Sequence, residues 1–134
     1  MAKIITQEDA VGVDRIWLGL AAIGGLLSVA IGAFGAHGVA DPQAKAWMDT
    51  GATYLAIHCL AVFAAGAVAA QGARLARLAP MLFLSGGLIF CGTLFAMAMG
   101  APRILGAVTP VGGLLFMGGW IVLAIAAMAR PKDA

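Results

Sequence analysis

Charged side chains divide this chain into long uncharged stretches. No Asp, Glu, Lys or Arg lies in residues 16–40, 50–73, 78–102 or 104–129. Each stretch exceeds the roughly 20 apolar residues that a helix needs to cross a ~30 Å hydrocarbon core. The pattern predicts four helices over about 16–37, 52–71, 79–100 and 110–129. Strands crossing a membrane would alternate apolar and polar residues, and none of these stretches does. In lipid each backbone polar group needs a partner within the protein, which leaves helices. The expected fold is all-α: a single four-helix transmembrane domain over residues 16–129, built from antiparallel hairpins, with a segment 1–15 before it and a tail 130–134 after it.

The connections carry their own signals. In ADPQAKAWMDTG (40–51), Asp41 and Pro42 read as an N-cap and first helical residue. Ala44, Trp47 and Met48 then fall on one face. This predicts a short helix at the membrane interface, with Trp47 at headgroup level and Gly51 ending it. Thr109-Pro110 reads as a second cap pair. Pro80 falls in the first turn of the third span, where proline is tolerated.

Composition agrees with this reading. The chain is 63% hydrophobic and only 10% charged, against about 25% charged in a soluble domain, and its mean hydropathy is +1.01. The first span is too long for the apolar core of a signal peptide, and Glu8, Asp9 and Asp14 precede it, so it is expected to stay attached. Lys3, Arg15, Arg74, Arg77, Arg130 and Lys132 fall on one side of the four spans; Lys45 and Arg103 fall on the other. The positive-inside rule then puts both termini in the cytoplasm. A net charge of +2 offers nothing to a nucleic acid. Membrane lipids are the expected partners, with a homo-oligomer or a larger membrane complex beside them.

Small residues recur at helical spacing. Gly24, Ser28, Gly32 and Ala36 repeat every fourth position in span one, and Gly92, Ala96 and Gly100 do so in span three. Such faces let backbones approach closely where lipid supplies no hydrophobic drive. They are expected to pack within the chain, between copies, or both. Sliding the first hairpin by 62 residues aligns Gly24-Gly25-Leu26 with Gly86-Gly87-Leu88 and His58 with Trp120, which raises a duplication as one reading.

Polar chemistry gathers at one end of the expected bundle. His37 closes span one, and Tyr54 and His58 share a face of span two. Thr109 lies at the same end, and Trp120 is near the middle of span four, where its indole N–H needs an acceptor. These five residues are the candidate polar pocket, open to the outside. A histidine within a span needs partners for both ring nitrogens. For His58 these are a bond to Tyr54, to His37 or to a backbone carbonyl, against proton or solute handling or ligation of a metal or haem. No metal site, catalytic set or cofactor motif is readable: no carboxylate lies within a span, and no nucleophile–base–orienter set or nucleotide loop is present. Cys59 and Cys91 read as small packing residues.

GAFGAHG (32–38), with Trp47, Thr50-Gly51, Tyr54 and His58 in WMDTGATYLAIH, resembles the small bacterial membrane family catalogued as domain of unknown function 423, itself similar to eukaryotic transmembrane protein 256. Gly86-Gly87, Gly92, Thr109-Pro110, Gly112-Gly113 and Gly119-Trp120 extend the likeness over about residues 16–128. Gly51 and Cys59 depart from it, standing where alanine is more usual, which weakens a metal or redox role for Cys59. The resemblance implies a multi-pass protein of the bacterial inner membrane and brings no activity with it. With no catalytic set readable in the sequence, the expected function is non-enzymatic. Either the polar pocket binds a small solute, ion or lipid headgroup, or the glycine faces dock the protein as an accessory subunit.

Overall fold

The computed structural model describes residues 13–129. Segment 1–12 and tail 130–134, with Lys3, Arg130 and Lys132, lie outside the described residues. Four long helices follow one another: α1 (Arg15–Gly38), α2 (Pro42–Ala70), α3 (Ala79–Ala98) and α4 (Thr109–Met128). A 3-10 turn, Arg74–Leu78, precedes α3, and another, Arg103–Ala107, precedes α4. All four helices are long and apolar enough to cross a membrane. Short connections make successive helices antiparallel. The α1–α2 and α3–α4 connections therefore share one end of the bundle, and the α2–α3 connection lies at the other.

The separate interfacial helix does not exist. Asp41 caps as expected, its carboxylate accepting the Ala44 N–H at 2.7 Å, but the helix begun at Pro42 runs through Gly51 to Ala70. A glycine inside a helix costs about 1 kcal/mol relative to alanine. Here it is buried against the Phe95 ring of α3, where a Cβ would collide with ring carbons. Close packing offsets the propensity penalty, so the helix does not break. At 29 residues, α2 is about 43 Å long, and its first nine residues extend past the level at which Gly51 meets Phe95. Trp47 lies on this extension, half-buried, with the Arg103 guanidinium 5.5 Å from its ring centroid.

Thr109 is likewise not an N-cap. The preceding 3-10 turn feeds α4 through Val108, whose backbone is already helical (φ −88°, ψ −29°). The Thr109 hydroxyl is then free to reach Thr93 of α3 at 2.7 Å. At the end of α3, Gly100 has φ +97°. Its N–H donates to Met97 O, and the Ala101 N–H donates to Ala96 O, the paired bonds of a Schellman ending.

Small residues set the helix contacts. In the α1–α2 seam Gly24 faces Cys59, Gly32 faces Ala52 and Gly35 faces Met48. Ala21, Ser28 and Gly35 are the buried residues of α1. Ala36 departs from the expected stripe: its side chain is exposed. In the α3–α4 seam the close pair is Gly86 and Gly112. A Cβ on Gly112 would sit 2.8 Å from Gly86 O and 2.7 Å from the Phe90 Cβ. The Gly92, Ala96, Gly100 stripe is not this seam, since a Cβ on Gly92 or on Gly100 would meet nothing within 4 Å. The two hairpins also differ in register. Gly24 meets Cys59, so a 62-residue repeat would bring Gly86 to Ile121; it meets Phe116 instead.

The core is thin and lies between α2, α3 and α4. Phe83, Val62, Pro80 and Cys91 are its largest fully enclosed side chains. Ala65, Ala69, Ala76 and Ala79, all with no exposed surface, bring α2 and α3 together at the end where they connect. Large apolar side chains such as Leu26, Val29, Leu60, Leu88, Leu114 and Ile121 point outward, the arrangement that lipid requires. Helix α1 is peripheral. Only 11% of its most apolar window is buried against 39% for α2, and it packs on α2 without approaching α4.

Candidate functional site

His58 stands at the centre of the polar constellation. Its position in α2 places it four residues after Tyr54, and its Nδ1 lies 2.7 Å from the Tyr54 carbonyl oxygen. A carbonyl only accepts, so Nδ1 carries the proton. On the other side of the ring, the Trp120 indole N–H of α4 donates to Nε2 at 3.1 Å. The imidazole is therefore neutral, in the Nδ1–H tautomer, with both nitrogens satisfied. Its face stacks on Phe116 with centroids 3.5 Å apart and planes 9° from parallel. Phe83 and Tyr54 complete the aromatic surroundings, at 5.6 and 5.9 Å. Among the described residues no buried side-chain nitrogen or oxygen lacks a partner.

The five predicted pocket residues thus separate. Tyr54, His58 and Trp120 gather, as an aromatic packing cluster without a free ring nitrogen. Tyr54 and Trp120 are themselves 43% and 44% exposed. Thr109 joins Thr93 and takes no part in the cluster. His37 is exposed at the end of α1. Because Gly35 packs on Met48, His37 lies beside the start of α2, roughly 18 Å along that helix from His58. Cys59 and Cys91 are free and buried, Cys59 packing its sulfur against Gly24.

A cavity does exist, at the end carrying the α1–α2 and α3–α4 connections. It is a groove of about 330 Å³ between the last turns of α1 and the extension of α2. Gly32, Gly35 and Ala36 form one wall; Pro42, Ala46, Lys45 and Asp49 form the other. The Lys45 ammonium donates to Ala36 O at 2.9 Å, neutralising part of the negative end of α1. Two of its three N–H donors remain. Lys45 and Asp49 are one turn apart but form no ion pair with each other. The order of lysine before acid is the less favourable one on a helix. Both stand in the stretch ADPQAKAWMDTG, but the groove that they line is formed only where the end of α1 packs against the start of α2. Their spacing of four was the available signal.

Comparison with known proteins agrees on the family. A family model described as "Protein of unknown function (DUF423)" matches residues 31–113. A "UPF0382 membrane protein" of Haemophilus influenzae is 41% identical over 111 residues, covering 81% of this chain and 90% of the relative. The "UPF0382 membrane protein YwdK" of Bacillus subtilis is 35% identical over 120 residues, 85% of this chain and 97% of its own length. A fission-yeast relative, "UPF0382 membrane protein C1782.12c" of Schizosaccharomyces pombe, is 38% identical, covering 82% of this chain and 98% of its own. No solved structure matches the chain.

Proposed function

The chain belongs to the DUF423 family of membrane proteins, and from that premise we propose a non-enzymatic binding role, in which the groove between α1 and α2 takes a small solute, ion or lipid headgroup. The observation that carries this reading is a cavity holding an ammonium and a carboxylate that are not paired with each other. The binding role moves to this groove from His58, whose ring nitrogens are both committed to the protein. His58 then acts as a pin between α2 and α4. The proposed location is the bacterial inner membrane with both termini cytoplasmic. Arg15, Arg74 and Arg77 at one end, against Lys45 and Arg103 at the other, support that orientation among the described residues. The groove then opens outward.

Native mass spectrometry of the gently extracted protein, wild type beside Ala46→Trp, tests this. The tryptophan fills the groove from an exposed position, so a bound mass carried by the wild type should be lost. An unchanged pattern in the two proteins would remove the groove from the function.

A second reading, an accessory or scaffolding subunit or a homo-oligomer, draws on one observation. Gly19, Gly25 and Gly92 face open space, and small residues of this kind let neighbouring membrane helices approach. The same spectra report on it. A stoichiometric partner or a defined multimer supports it, and a single chain carrying only small ligands counts against it.

A further inference from the structure

The groove carries more than the fact of a cavity; resting on the binding role above, we infer that its ligand is a zwitterion of the phosphoethanolamine type, presented as the headgroup of a membrane phospholipid. Lys45 and Asp49 bring opposite charges to one wall. An anion alone would meet Asp49, and a cation alone would meet Lys45. A ligand carrying both signs satisfies each without adding net charge. Residues four apart on a helix lie about 5–6 Å apart at Cβ, a gap that a two-carbon bridge between phosphate and ammonium spans. The Lys45 ammonium keeps two N–H donors for a phosphate after its bond to Ala36 O. Among the described residues none donates a hydrogen bond to, or forms an ion pair with, the Asp49 carboxylate.

The amine is assigned by what the groove lacks. A quaternary ammonium has no N–H and is held by aromatic faces. Among the described residues no aromatic side chain lines this groove, and Trp47, the aromatic side chain nearby on the α2 extension, is paired with Arg103. A primary ammonium can donate to a carboxylate, which is what the groove offers. The setting favours a lipid over a free solute. The groove lies on the extension of α2, just past the level where Gly51 meets Phe95, where a helix leaves the hydrocarbon. On the same two helices Val29 of α1 and Leu60 of α2 are exposed, an apolar surface on which an acyl chain can lie.

The test reconstitutes the full chain in vesicles of equal phosphatidylethanolamine, phosphatidylcholine and phosphatidylglycerol, extracts it gently, and weighs the retained lipid. Wild type should keep phosphatidylethanolamine over phosphatidylcholine by about fivefold to tenfold, as one net hydrogen bond at an exposed carboxylate predicts. Asp49→Asn should bring that ratio near one and raise phosphatidylglycerol, since the opposing carboxylate is gone. Lys45→Gln should lower all three. A wild-type ratio near one, or a ratio unchanged in Asp49→Asn, overturns the headgroup assignment. Ala46→Trp keeps the two failures apart. If it still removes bound lipid, the groove stands and only the headgroup falls; if it changes nothing, the groove itself is wrong. Asp49 is exposed and its amide replacement keeps the shape, so Asp49→Asn is expected to fold.

Discussion

At the residue scale, His58 shows how a polar side chain is accommodated within a span. A buried imidazole without partners would cost several kcal/mol in hydrocarbon. Its own helix supplies one acceptor, the Tyr54 carbonyl a turn earlier, and α4 supplies one donor, the Trp120 indole. Protonation at Nε2 would set two donors face to face, so this geometry holds the neutral ring. Interhelical hydrogen bonds in membranes average about 0.6 kcal/mol and reach about 1.7. A double-mutant cycle between His58→Ala and Trp120→Phe, read by equilibrium unfolding in mixed micelles, should return a coupling in that range. Strictly additive effects would mean that the bond contributes nothing. The need for partners was readable from the residue types. The identity of Trp120 as the donor was not, because it depends on how α4 is rotated against α2.

At the element scale, helix association follows from where glycines meet backbone. Gly112 lies on the backbone of α3, so a Cβ there forces the two helices apart. Gly92 faces open space. Gly112→Ala should therefore destabilise by about 1–3 kcal/mol, as overpacking does. Gly92→Ala should be neutral or stabilise by up to about 1 kcal/mol through helix propensity, provided that no partner covers that face. Unfolding midpoints of the two variants in the same micelles compare them directly; equal losses would refute the assignment of the seam. The periodicity of small residues identified the α1 seam, where Gly24, Ser28 and Gly32 meet α2 or are buried. In α3 the Gly92, Ala96, Gly100 stripe is not the seam with α4, because a row of small residues is equally suited to a helix of the same chain, to another copy or to lipid. The same ambiguity hid the continuity of α2. Gly51 and the charges at 45 and 49 look like a break until Phe95 is seen to cover the glycine.

For the whole molecule, the bundle is open on one side. Helix α1 leans on α2 alone along most of its length and leaves α4 without a neighbour there, so the groove at the end of the α1–α2 pair is bounded by two helices and not enclosed by four. The proposed orientation places this groove outside. Gln43→Cys should react with a membrane-impermeant maleimide in intact cells, whereas Gln71→Cys should react only after permeabilisation. Both positions are exposed, and the native cysteines are buried and should stay silent. The reverse labelling would invert the topology, and with it the side that the groove serves.

Composition and charge spacing by themselves determined the solvent of this protein, its four helices and their antiparallel order, since the cost of leaving backbone or charge in hydrocarbon is large, local and indifferent to which helix lies beside which. The particular pairings were decided by tertiary structure alone: His58 with Trp120, Gly86 with Gly112, and Gly51 under Phe95. Each of these rests on the rotation and register of two helices far apart in the chain. Among so many small and apolar residues, several registers satisfy the same pattern, and only the packed bundle selects one.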